Sequence, residues 1–273
     1  MFKRPEGKIP LTDPEKSILR LNALAFARET RERLGVSIHD PIDIIHIVER
    51  EGILVFQIKD LGCSGFVRVF GEYKAIFVNA SESLGRQYYT IAHEYCHILR
   101  DLQNFVKLKE LPDEEQILQM NSMEYFAFRF ADYFITPEVA IYKALKLLDI
   151  HDYGNISIQD VFKIQHYFSV SFTQMIRMLN KSLVISDIQH AEFRKISTKE
   201  DPQLLVRTTA ESGYNVALVS ELEHSRIPLS FMEGLIDNIV NRRLTSRKVK
   251  YLENLIKIPL MGYLPERGSE DVE

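Results

Sequence analysis

Apolar residues at Ile18, Leu21, Leu24 and Ala25 recur at helical spacing, which predicts an amphipathic helix with that face on a core. Asp13 as N-cap and Pro14 at the first helical position mark its start, and Leu34-Gly35 its end. Residues 1–14 read as a loose arm. Asp40-Pro41 opens a second helix that buries Ile44, Ile45 and Val48 and stops near Glu51-Gly52. The period then shortens. Residues 53–58, 65–70 and 75–79 are short apolar or alternating runs, the pattern of three strands. Gly71-Glu72-Tyr73 supplies a hairpin turn between the last two. The result is a small sheet, antiparallel at least in part, and residues 75–79 are expected at its exposed edge.

Helical periodicity returns at residues 83–100. Another helix opens at Leu111-Pro112 with Asp113, Glu114 and Glu115 in its first turn, where acidic groups oppose the macrodipole. It runs to about residue 135 and stops at Thr136-Pro137. A short helix over 138–148 follows. Residues 157–179 read as two helices around a turn at 168–171, a helix-turn-helix-like unit. Residues 183–211 carry no clear pattern. A last helical pair is expected at 231–241 and 246–256, with a disordered tail over 265–273. The fold class is therefore α+β, with a small three-stranded sheet and a mostly helical C-terminal region.

Composition narrows the setting. The chain has 273 residues, 45% hydrophobic and 26% charged, enough for one large domain or two modest ones with a real core. A net charge of −4 argues against a dedicated nucleic-acid coat protein, which needs surplus Lys and Arg to neutralise phosphates. Cys63 and Cys96 are too few for a disulfide framework. No signal peptide or bilayer-length apolar run is visible, so a cytoplasmic location is expected.

Candidate chemistry lies in His93-Glu94-Tyr95-Cys96-His97. Two histidines four apart on a helix share one face, where both imidazoles can reach one metal ion. Glu94, about 100° around the helix, can reach a water on that ion without being a ligand. H-E-x-x-H on a helix is the zincin signature. A solvated helix with two ion-paired histidines would show the same five residues. Ile91, Ala92, Tyr95, Ile98 and Leu99 around the motif instead point to a buried helix, where such groups need partners. A third ligand is expected on the next helix. Glu124 falls in the stripe of Ile117, Met120, Ala127, Phe128 and Ala131, and a carboxylate there is explained by metal ligation. A buried ion pair with Arg86 or Arg129 is the alternative. Two histidines and a glutamate suit zinc well and do not discriminate against manganese.

The run from Arg86 to His97, the run from Glu124 to Ala131 with Pro137 after it, and the Asp40–Ile45, Gly52-Ile53 and 75–79 segments resemble the ImmA/IrrE metallo-endopeptidases. The resemblance spans roughly residues 20–180. It implies a gluzincin-like site with His93, His97 and Glu124 as metal ligands and Glu94 as general base. It also implies a protein substrate, a helix-turn-helix transcriptional repressor whose cleavage releases a stress-response or mobile-element programme. Many members have Asn where this chain has Phe128, and the C-terminal GAF-like sensor of one branch is not visible here. Three parts are expected: a zinc metallopeptidase domain over 15–150, a helix-turn-helix-like module over 151–195, and a helical C-terminal region over 196–273. The rival reading is a DNA-binding or repressor-binding regulator with a non-catalytic zinc site.

Lesser candidates have simpler explanations. Cys96 reads as a small buried apolar residue rather than a redox switch. Tyr88, Tyr89, Tyr95, Tyr125, His151 and Tyr153 are candidates for stabilising an oxyanion. Lys163, His166 and Arg177 are a thin set for DNA contact, and the helical unit that carries them reads better as a brace. Arg242, Arg243, Arg247, Lys248 and Lys250 form a basic cluster that reads as a solvated face, with contact to DNA or an acidic partner as the alternative.

Overall fold

The computed structural model describes residues 9–102, 108, 110–197, 201–256 and 258–265. The arm over residues 1–8 and the tail from residue 266 lie outside them. The first helix, α1 (Asp13–Arg33), is capped one residue earlier than expected. Thr12 is the N-cap and exchanges a capping box with Glu15, and Pro14 sits in the first turn. Its buried face also differs from expectation. Ile18 and Leu21 are both 60% exposed, whereas Ala23 and Ala27 are buried. Small residues let α1 approach α4 (Asp113–Ile135) closely, with Phe26 between Phe126 and Phe130. Helix α2 (Ile44–Arg50) is capped by Asp43, not Asp40. Asp40 instead pairs with Lys143, and its carbonyl accepts from the buried Arg31.

The sheet is mixed. Strand β1 (Ile53–Ile58) pairs in parallel with β3 (Tyr73–Asn79), and β2 (Gly65–Phe70) pairs antiparallel with β3. The spatial order is β1-β3-β2. Residues 75–79 are thus central, not an edge. Both flanks of β3 are paired and Ala75, Ile76 and Val78 are buried. The outer flank of β1 is covered at Gln57 by Arg226, through reciprocal backbone bonds of 2.9 and 2.8 Å. Strand β2 is left with the sheet's open flank. The two-residue turn Gly71-Glu72 joins β2 to β3, and Gly71 supplies the positive φ of 60° that its first position requires.

The two faces of the sheet bury different things. Val55, Val67, Ile76 and Val78 join the main core beneath α3 (Leu84–Cys96). Phe56, Ala75 and Phe77 face α10 (Leu229–Val240) and α11 (Ser246–Ile256) in a second cluster with Leu235, Ile239 and Val249. Between them in sequence lie α5 (Glu138–Leu147), α6 (Ile158–Phe168), α7 (Phe172–Lys181), α8 (Asp187–Arg194) and α9 (Pro202–Glu211).

The main core runs without a break from Ala23 to Ile185. Helices α6 and α7 meet at Ser169-Val170-Ser171, where Ser169 is left-handed. That turn presses on α3: a Cβ on Gly85 would sit 2.5 Å from Ser171 N and 2.6 Å from Val170 C. Only glycine permits this approach.

Candidate metal centre

Helix α3 carries the motif on a face that packs inward. Ile91, Ala92, Tyr95 and Cys96 are fully buried, and His93 and His97 are each 7% exposed. The helix does not end at Cys96. It widens into a π-turn over His97–Asp101, with Leu102 N–H donating to His97 O at 3.1 Å. Such widened turns concentrate at functional sites.

The two imidazoles meet a carboxylate from α4. His93 Nε2 and His97 Nε2 are 3.1 Å apart. Glu124 Oε2 is 3.3 Å from His93 Nε2, and Oε1 is 4.0 Å from His97 Nε2. One ligand atom from each residue lies within 4.8 Å of the other two. Tetrahedral ligands at about 2.0–2.1 Å from an ion stand roughly 3.3 Å apart, so the spacing fits a single metal. Ring orientation agrees. Asp101 Oδ2 lies 2.7 Å from His97 Nδ1, and a proton held there leaves the Nε2 lone pair facing the other two groups. A carboxylate behind a metal-facing imidazole fixes tautomer and orientation. Asp101 itself is 1% exposed and takes Arg100 Nη1 at 2.8 Å on its other oxygen. The sequence reading missed Asp101, although its place four residues after His97 was a usable signal.

Glu124 reaches the site for a different reason from the one expected. Its side chain is 40% exposed. The buried stripe of α4 runs through Met123, Phe126, Ala127, Phe130 and Ala131, while Glu124 and Phe128 border an open cleft. Of the alternative partners, Arg86 pairs with Glu82 and Arg129 with Asp132. The cleft, about 350 Å³, is lined by Glu94, Arg86, Tyr89, Thr90, the Phe128 ring and β2 residues 65–67. Burial pushes the Glu94 carboxyl above its ordinary range, and the neighbouring histidines only partly offset this. For His97, burial works against the charged ring, but Asp101, Glu94 and Glu124 outweigh it and the net shift is upward.

Strand β2 approaches α3 closely because residue 65 is glycine. A Cβ there would lie 2.6 Å from Thr90 Cγ2 and 2.9 Å from Phe77 O. Phe128 packs its ring against His93 at 4.4 Å between centroids. It therefore supports the imidazole by contact. His93 Nδ1 is buried without a hydrogen-bond partner among the described residues.

Of the six groups weighed for an oxyanion, only Tyr89 lines this cleft among the described residues. Its hydroxyl donates to Phe128 O at 2.9 Å and lies 3.3 Å from Asp132 Oδ1. Burial, then Asp132, raises its pKa to about 12. Tyr95 is engaged elsewhere, with Arg33 and Glu51, and His151 pairs with Asp149 at the surface. Burial also pushes the Cys96 thiol up, in keeping with an inert packing residue.

Helix α7, the second of the helix-turn-helix-like pair, buries Phe172, Met175, Ile176, Met178 and Leu179. Its Arg177 and Lys181 converge on the fully buried Asp132, with Arg129 3.1 Å away from the same carboxylate. A helix seated this way braces α4. The basic cluster is partly neutralised: Arg243 pairs with Asp237, and Lys250 with Glu253.

A histidine pair on a buried helix and a carboxylate brought alongside by the next one form a group that could hold a metal ion, beside an open strand flank at the cleft. Residues 48–180 match the family model described as Peptidase_M78, the IrrE N-terminal-like domain, a match that supports an ImmA/IrrE family metallopeptidase. No curated protein matches the chain. No described helix is long and apolar enough to cross a membrane.

Proposed function

We propose that the chain is a zinc-dependent endopeptidase that cuts a helix-turn-helix transcriptional repressor and so releases a stress-response or mobile-element programme. The observation that carries this reading is the convergence of His93 Nε2, His97 Nε2 and the Glu124 carboxylate within 4.8 Å, on the wall of an open cleft. In this reading those three residues hold zinc, and residues 15–150 with the bracing helices after them form the peptidase. Zinc held there would polarise a scissile carbonyl and lower the pKa of a water toward about 7.

Glu94 takes the proton of the attacking water and returns it to the leaving amine. Asp101 holds the proton on His97 Nδ1, so that Nε2 keeps its lone pair for the ion. The free edge of β2 pairs with the substrate backbone in extended form, because the strand over 75–79 is central and paired on both flanks. The repressor as substrate rests on the family resemblance, and a cytoplasmic location is part of the same proposal.

Glu94→Gln tests the mechanism against a helix-turn-helix repressor as substrate. The variant should keep its zinc and its fold and lose roughly 10²–10⁴ in cleavage rate. Equal cleavage by both proteins would remove Glu94 from the mechanism. A wild-type protein that binds the repressor and never cuts it would favour an adaptor, and salt-dependent DNA binding by the full chain would favour a regulator.

A further inference from the structure

We propose that the space between the outer face of the sheet and helices α10 and α11 binds an amphipathic anion with a hydrocarbon chain. Two adjoining cavities lie there, about 380 and 610 Å³, in the size range that holds small-molecule ligands. They share Leu54, Phe70, Phe231, Leu235 and Leu252, so one molecule can occupy both.

The inner cavity is walled only by apolar side chains, among them Phe56, Phe66, Phe77 and Ile256. It offers nothing to a peptide backbone, whose N–H and C=O groups would lose their hydrogen bonds on entry. Hydrocarbon loses none. The outer cavity differs: Tyr73, Ser230 and Asn238 stand among its apolar walls. Arg243 Nη1 reaches Asn238 Oδ1 at 3.4 Å while it pairs with Asp237. An apolar end and an end with a few polar groups, one of them held by Arg243, fit an alkyl chain with an acidic head.

A glycine independently marks the outer cavity. Gly234 lies in the middle of α10, where glycine costs about 1 kcal/mol relative to alanine. A Cβ at this position would meet nothing within 4 Å. Neither turn geometry nor close packing requires glycine at this exposed position, which borders the outer cavity.

The proposal is independent of peptidase activity, because its test reads binding. Dodecanoate titrated calorimetrically into the full metal-loaded protein should bind saturably, near one per chain, and at least tenfold tighter than dodecyltrimethylammonium. Gly234→Leu fills the outer cavity without a clash and should raise the melting temperature while weakening dodecanoate at least tenfold. Leu235→Trp, from the wall shared by both cavities, should weaken it as well. Arg243→Gln should narrow the preference for the anion. Absence of saturable dodecanoate binding would overturn the proposal and leave the space to the apolar side chains of a protein partner. Undiminished binding by both filled variants, or equal affinity for the cationic detergent, would also overturn it.

Discussion

Replacing Asp101 with alanine tests how much of the metal centre's strength comes from behind the ligands. Asp101 makes two short contacts, 2.7 Å to His97 Nδ1 and 2.8 Å from Arg100 Nη1. It is buried, so water does not readily replace it. Without it the His97 ring is free to rotate and to place its proton on either nitrogen. Loss of such a partner weakens metal binding 10- to 100-fold, or about 1.4–2.8 kcal/mol. Arg100 should stay in place, because its guanidinium lies 4.0 Å from the centre of the Phe126 ring, so the damage is local.

Asp101→Asn keeps an acceptor at the same distance and loses only charge, so its deficit should fall at the small end of that range. The assay is competition for metal with a chromogenic chelator at fixed pH, alongside circular-dichroism melts of the metal-free proteins. An alanine variant that folds and holds metal within twofold of wild type would refute the reasoning. An asparagine variant as weak as the alanine one would show that charge, not orientation, matters.

The remaining predictions concern stability. Asp132→Ala strands Arg129, Arg177 and Lys181 around an empty position. A loss of about 3 kcal/mol is expected in urea unfolding, the low end for a broken buried pair because Arg177 and Lys181 reach solvent. Asp132→Asn should cost less. Glu253 accepts from Lys250 and from the backbone N–H groups of Leu260 and Met261, which lower its pKa to about 2. A carboxylate depressed in the folded state stabilises above its unfolded value and loses that contribution as pH falls through the folded one. The near-ultraviolet dichroism around α11 should therefore weaken between about pH 4.5 and 2, and Glu253→Gln should flatten that transition.

The metal cluster was legible because four-residue spacing on a helix has one geometric meaning. His93 and His97 could face only the same way, and the apolar residues beside them fixed which way that was. Glu124 was found on an argument that was half right. Its row on α4 borders the cleft, and a helix face half open to a cavity reads in sequence much like a face on the core. Asp101 was less legible as a site residue because it ligates nothing itself and acts through His97 Nδ1.

The strand order was not legible from strand order in sequence. A parallel β1–β3 pair places the third strand inside, and the signal was present in the consecutive buried Ala75 and Ile76. The face of α1 was not legible because its large apolar residues lie off the contact with α4. Close helix packing is carried by Ala23 and Ala27, and Ile18 and Leu21 are left to solvent.

The contact between α3 and the turn of the α6–α7 pair bears on how this chain can change over evolutionary time. At Gly85 the seam is backbone against backbone, and at Asp132 one carboxylate from α4 serves cations from both sides of it. Neither joint tolerates a new neighbour without matching changes on the other side. The helix pair and the motif helix are therefore bound to be inherited together. Helices α10 and α11 meet the rest through the outer face of the sheet, a surface of interchangeable apolar side chains. These two helices are free to change while the cleft stays as it is.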